Sequence, residues 1–218
     1  MSRPVIVVVG AGPGVSGSVA RRFADEGYDV ALLGQDQGIL DELAADLDAR
    51  GATVGHACVD VTDEQATRDA VRRFGEHTGR IDVLHFNPSA FREEDPLTLT
   101  VAGLLEDVAL GVGALLTVVQ AARPYMSTGG RISVTGSMAA DEPWERAASL
   151  GVQKAGVRNL VHSIDKTLAD DGIRAVSVTV RGSLAREGAF TPDRVADAIW
   201  DAVATDDAGW RSEVPYSG

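Results

Sequence analysis

The sequence predicts one α/β domain over residues 1–218, a doubly wound parallel sheet of about seven strands with helices on both faces. Three observations carry this. Apolar, β-rich runs alternate with helical patterns along the whole chain, the signature of right-handed βαβ units. The first run, Val5–Val9, shows no polar alternation, as expected of a central strand covered on both faces. A cluster of glycines then leads directly into the first helical pattern.

The elements follow in order. Strands are expected at Val5–Val9 and at residues 30–33, 53–59, 81–86, 131–135, 173–180 and 211–214. Between them, helices are expected over residues 15–26, 38–50, 64–78, 97–126 and 144–170, with one more starting at Pro192. Asp63 before Glu64, and Thr191 followed by Pro192, supply a capping side chain or a first-turn proline.

Composition narrows the class of function. With 44% hydrophobic and 24% charged residues and only 8 prolines, the 218-residue chain is expected to pack a globular core. The longest apolar runs, such as residues 5–9 and 115–119, are far too short to span a bilayer. The first residues read as a strand, without a signal-peptide cleavage region. A single cysteine, Cys58, excludes an internal disulfide and fits a reducing, cytoplasmic setting. A net charge of −12 argues against nucleic acid or an anionic membrane as partner and leaves a small-molecule substrate.

The glycine turn carries chemistry. Gly10, Gly12, Gly14 and Gly17 let the backbone turn tightly and approach a pyrophosphate, and the helix opening at Val15 offers free N–H groups and a partial positive charge. A Gly-x-Gly-x-x-Gly pattern alone says little; its place between strand and helix supports a nucleotide site over a plain corner. Asp36 lies 19 residues beyond Gly17, where an acid can accept from an adenosine ribose.

At this point the chain resembles the short-chain dehydrogenases/reductases, a family with a Rossmann-type fold. The family's Gly-x-x-x-Gly-x-Gly turn maps onto Gly10, Gly14 and position 16, which is Ser16. Asp60-Val61-Thr62-Asp63 resembles the third-strand motif whose first Asp contacts adenine. Phe86-Asn87-Pro88-Ser89 stands where the family has Asn-Asn-Ala-Gly, and Arg181-Gly182 where it has Pro-Gly. The segment from Gly130 to Ser137 resembles the strand ending in the active-site serine. The resemblance implies cofactor contacts at Gly10, Gly12, Gly14, Val15, Asp36, Asp60, Val61, Asn87, Lys154 and Gly182, and catalytic roles for Ser137 and Lys154.

Members of the family use a tyrosine as general acid/base and a lysine four residues later. Here Leu150 stands thirteen residues past Ser137, with Lys154 four residues on, one of two lysines against 18 arginines. The family's asparagine aligns with Ala109. Leucine has no proton to give, and general acid–base catalysis is worth about 10²–10⁴ in rate. The chain is similar to a divergent subgroup that lacks the tyrosine and reads Gly-Ala-Gly-Pro-Gly in its first turn.

Three functions follow: an oxidoreductase using NAD(P); a non-redox enzyme such as a cyclase, dehydratase or isomerase; or a non-catalytic nucleotide-binding subunit. NAD is expected over NADP, because Gly34-Gln35-Asp36 offers a 2′-phosphate no basic partner; the alternative is a chain that holds no cofactor. The family implies a homodimer or homotetramer through the helices expected at 97–126 and 144–170. Only about ten residues separate the sixth strand from Pro192, so the pocket is expected to be open. Asp141, Glu142 and Glu145 read as solvated loop charges, the four histidines and three tryptophans as structural, and Cys58 as a small buried hydrophobe.

Overall fold

The computed structural model describes residues 3–218. Its centre is β1 (Val5–Val9), all five residues buried, because neighbouring strands and helices on both faces leave it no solvent side. Six further strands flank it: β2 (Asp29–Gly34), β3 (Val54–Cys58), β4 (Val83–Phe86), β5 (Arg131–Ser137), β6 (Arg174–Val180) and β7 (Glu213–Tyr216). The order is β3-β2-β1-β4-β5-β6-β7 and every pairing is parallel. The direction of winding reverses between β1 and β4, which opens a crevice beyond their carboxyl ends.

The helices are α1 (Val15–Asp25), α2 (Gln37–Ala49), α3 (Glu64–Thr78), α4 (Val101–Val108), α5 (Ala114–Ala122), α6 (Ala148–Leu168) and α7 (Pro192–Ala204). Two apolar clusters form, one on each sheet face. Val7, Val9, Leu84, Phe86, Ile132 and Val134 meet Leu115 and Val118 of α5 and Val157 and Val161 of α6. Ile6, Val8, Leu32 and Val178 meet Phe23 of α1 and Ile199 of α7. The period-two alternation of side chains along each strand makes this partition.

The expected caps are present: Asp63 accepts from Ala66 N at 3.0 Å and Thr191 from Arg194 N at 3.3 Å. The long middle helix starts at Val101, because Asp95 and Thr98 close a separate turn before it. A π-helical segment, Ala109–Gly113, then separates α4 from α5. The path Val101–Tyr125, with mean hydropathy 1.8, is long and apolar enough to cross a membrane by length and composition. Its hydropathy is averaged across Thr117, Glu106 and Asp107, which break it into short apolar runs. Its α5 part buries Leu115, Val118 and Val119 as a core helix does. Residues 144–147 form a loop and a short 3₁₀ turn, so α6 starts at Ala148. Cys58 is exposed, contrary to expectation, because β3 is an edge strand.

His85 of β4 is completely buried; its Nδ1 lies 2.9 Å from Ser133 Oγ, and its Nε2 finds no partner among the described residues. Burial alone pushes its pKa down to about 3. Above the unfolded value near 6.5 both states are neutral, and on acidification only the unfolded chain gains the proton. Stability should therefore fall by about 2–3 kcal/mol between pH 6.5 and 4.5. Denaturant unfolding across that range checks this. A His85→Leu variant should lack the slope.

Candidate active site

Helix α1 begins at Val15 with Gly14 as its N-cap, and no side chain caps it. Its first-turn N–H groups are thus left for an outside acceptor, and the positive end of the helix dipole lies with them. An added Cβ at Gly12 or Gly14 would meet nothing within 4 Å, whereas one at Gly17 would lie 2.7 Å from Gly12 O. Gly17 is therefore required by the fold, and Gly12 leaves room for a ligand. Ser16, at the third glycine position of the family turn, donates to Gly10 O at 2.6 Å and accepts from Asn87 Nδ2 at 2.7 Å. Its place beside the glycines was the signal available in the sequence, where it reads only as a departure from the pattern.

Beyond the carboxyl ends of β5 and β6 lies a cavity of about 400 Å³. It gathers Gly14, Val15, Asn87, Ser137, Lys154 and Gly182 from five separate stretches of sequence, with Ser89, Thr135, Gly136, Val180 and Leu184. Ser89 also lines a second cavity of about 260 Å³, with Gly10, Ala11, Gly34, Gln35, Asp36, Val61, Pro88 and Leu110. The two cavities adjoin at Ser89, which lines both. Asp36 caps α2 by accepting from Ile39 N at 3.0 Å, which fixes its carboxylate at the crevice edge. Asp60 lines neither cavity; its Oδ1 accepts from Thr62 N at 2.9 Å and Oγ1 at 2.7 Å, and these bonds hold the acid below its usual pKa.

Ser137 Oγ accepts from Ala139 N at 3.2 Å, which leaves its hydroxyl proton to donate. Lys154 is 7% exposed, and its Nζ donates to Thr135 O at 2.9 Å. Burial lowers its pKa to about 8. Leu150 sits one turn before Lys154 on α6, half-buried. Tyr28 packs edge-on to Phe23 and Trp200, Tyr125 lies against Gly75, and Tyr216 Oη donates to Ala189 O at 2.5 Å. No tyrosine lines either cavity among the described residues.

Ala109 does not face this crevice. It is exposed at the start of the π segment and lines an outer groove with Thr62, Arg68 and Thr117. The extra residue of the π turn rotates the helix surface, so that Gly111 is the buried position. A Cβ on Gly111 would lie 2.5 Å from Gln153 Oε1. That oxygen accepts from Ala90 N at 3.0 Å and so holds the segment after β4 beside Ser89. Asp141 is an exposed loop charge, as expected, and also pairs with Arg158 at 2.7 Å and Arg181 at 2.9 Å; the Arg158 hydrogen bond keeps its pKa low.

The short chain dehydrogenase family model matches residues 4–184, and the chain belongs to that family. It is 25% identical, over 80% of its length and 76% of the relative's, to an uncharacterized oxidoreductase of Staphylococcus epidermidis. It is 28% identical to sulfoacetaldehyde reductase 2 of Chromohalobacter salexigens, over 80% of this chain and 70% of that one. A short chain dehydrogenase from Burkholderia cenocepacia, solved in complex with NADP, superposes with a TM-score of 0.91 at 25% identity, covering 99% of this chain and 96% of that one. The family is one of oxidoreductases that bind NAD(P).

Two glycine substitutions separate fold from binding. Gly12→Ala should change stability by less than about 0.5 kcal/mol and weaken dinucleotide binding at least tenfold (roughly 1.4 kcal/mol). Gly17→Ala should cost about 1–3 kcal/mol of stability through the forced contact with backbone. Urea denaturation and fluorescence titration with NADH and NADPH check both.

Proposed function

We propose that the protein is an NAD(P)-dependent oxidoreductase acting on a small molecule, of the short-chain dehydrogenase subgroup without the usual tyrosine. The observation carrying this reading is the single crevice in which the uncapped N-terminus of α1, Ser137 and Lys154 meet. The α1 N–H groups would hold the pyrophosphate, and Lys154 the nicotinamide ribose hydroxyls. When bound, the cofactor supplies or takes a hydride. Ser137 would donate its hydroxyl proton as a hydrogen bond to the substrate oxygen and so orient it. Leu184, exposed at the rim, and the short 181–191 connection leave the substrate side open.

NAD is favoured over NADP. Asp36 carries negative charge at the crevice edge, and no arginine or lysine lines that cavity among the described residues. The NADP in the Burkholderia relative is a property of that protein. One observation favours a second reading, a non-redox enzyme or a nucleotide-binding subunit: Leu150 gives the site no phenol.

We also propose self-association through α4 and α6. Val101 (74% exposed) and Leu105 (61%) of α4, Val152 of α6 and Trp144 just before α6 are exposed large apolar side chains, of the kind that mark an interface when they lie together; Val101, Trp144 and Val152 line one cavity.

Titration with NADH followed by fluorescence tests the first proposal, and absence of binding at millimolar concentration in a folded sample would sink it. Lys154→Ala should weaken NADH binding by about 1–3 kcal/mol. NADPH binding tenfold tighter than NADH would overturn the Asp36 argument alone. Leu150→Tyr should raise carbonyl reduction; no gain across a broad panel would move the non-redox reading ahead. Light scattering at micromolar concentration should give at least a dimer mass, and Leu105→Glu should lower it.

A further inference from the structure

The crevice has a proton problem that its lining residues define. The cavity around Ser137 is walled by glycines, aliphatic side chains, Thr135, two serines, Asn87 and Lys154, and among the described residues no carboxylate, imidazole, thiol or phenol joins them. A reaction there that moves a proton needs a group able to hold and release one, and serine and asparagine side chains do neither near neutral pH. We propose that Lys154 is itself the general acid and base of this site, acting directly on the substrate oxygen in the position that Leu150 leaves without a phenol.

The geometry supports this. Nζ spends one hydrogen bond on Thr135 O at 2.9 Å, and an ammonium has two more N–H groups to give. Among the described residues no ion pair includes it and no carboxylate lines its cavity, so none fixes it in the charged form. The charged groups on the elements packed against it are engaged elsewhere. Arg158, one turn further along α6, pairs with Asp141 and Glu213. Asp107 of α4 is held by Arg92, and Asp165 of α6 by Arg174. On β4, His85 is sealed against Ser133. Burial is left as the influence on the amine, and it brings proton release close to neutrality.

The step balances as follows in the direction of carbonyl reduction. The substrate carbon gains a hydride from the reduced nicotinamide of the proposed function, and the C=O π pair moves to oxygen. One N–H bond of the Lys154 ammonium breaks, an O–H bond forms, and the electron pair stays on Nζ. The neutral amine then regains a proton from water. In the reverse direction the amine takes the hydroxyl proton. The proposal rests on the Ser137–Lys154 cavity being the reaction site, and the experiment keeps the failure of the two readings apart.

The chain has two lysines, so trace acetylation with acetic anhydride, read by peptide mass spectrometry, reports on Lys154 with exposed Lys166 as the reference amine. Lys154 labelling should reach half its maximum near pH 8, instead of near the ordinary 10.5. NADH should slow Lys154 labelling at least fivefold and leave Lys166 labelling unchanged. A midpoint at pH 10 or above, or no labelling at any pH, would overturn the proposal. So would NADH that binds, by fluorescence, without protecting Lys154. NADH that fails to bind removes the cofactor reading, while the labelling curve still decides the lysine's. Lys154→Arg keeps the charge but holds its proton. It should retain NADH binding within about fivefold and lose turnover on any carbonyl the panel finds; turnover retained would overturn the role.

Discussion

The hydroxyl of Ser16 joins the two strands between which the winding reverses. It donates to Gly10 O at the end of β1 and accepts from Asn87 Nδ2 at the end of β4. Asn87 N in turn donates to Val9 O at 3.0 Å, and Ala11 N to Leu33 O at 2.7 Å. A parallel sheet leaves carboxyl-end carbonyls and amides without ladder partners where strands separate. Here those groups are satisfied by the glycine turn itself. The turn is fixed without a ligand, and the N-terminus of α1 is aimed into the crevice before anything binds. Much of what a phosphate needs is therefore pre-organised.

A second set of contacts carries that order across to Lys154. Asp165, near the end of α6, accepts from Arg174 Nε at 2.9 Å and Nη2 at 2.8 Å, from Ala175 N at 2.8 Å and from Trp210 Nε1 at 3.0 Å. Arg131 and Arg174 lie over the Trp210 ring. The carboxylate is nearly buried, and four donors offset its desolvation. Further along, Asp141 with Arg158 and Arg181 joins α6 to the segments after β5 and β6. Helix α6 is thus clamped at its far end and near its middle. A lysine on it can then be held against one backbone carbonyl instead of swinging through solvent.

The fold was legible because its signals are local and repeated. An uninterrupted β-branched run at Val5–Val9, glycines at a strand end, and Asp63 and Thr191 before helices each specify one element, and all agree. Most of the crevice was legible too, since Gly14, Val15, Asn87, Ser137, Lys154 and Gly182 do meet. What was not legible depends on rotation or on neighbours. No residue pattern announces a π turn, so the inward turn of Gly111 against Gln153, with Ala109 left on the outer surface, could not be read from the sequence. Cys58 lies exposed because its strand is the sheet edge, a fact of topology. Asp60 satisfies itself on Thr62, a contact that its motif does not distinguish from a contact to adenine. Ser16 was visible only as a mismatch, though it is what links Gly10 to Asn87.

Lys154 is the place where local preference and fold disagree, and the disagreement has a size. A pKa moved from 10.5 to about 8 by burial means that the charged form is disfavoured in the folded protein by about 3 kcal/mol. The sign is that of a lowered cation: the cost is full below pH 8, where both states are protonated, and fades as pH rises towards 10.5. An apolar side chain of similar length would carry no such cost, and one hydrogen bond to Thr135 O returns only about 1 kcal/mol of it. The rest of the sheet and helix packing meets the difference. Costs of this kind cluster at functional sites, and this one sits on the wall of a cavity beside the Ser137 hydroxyl and an uncapped helix end.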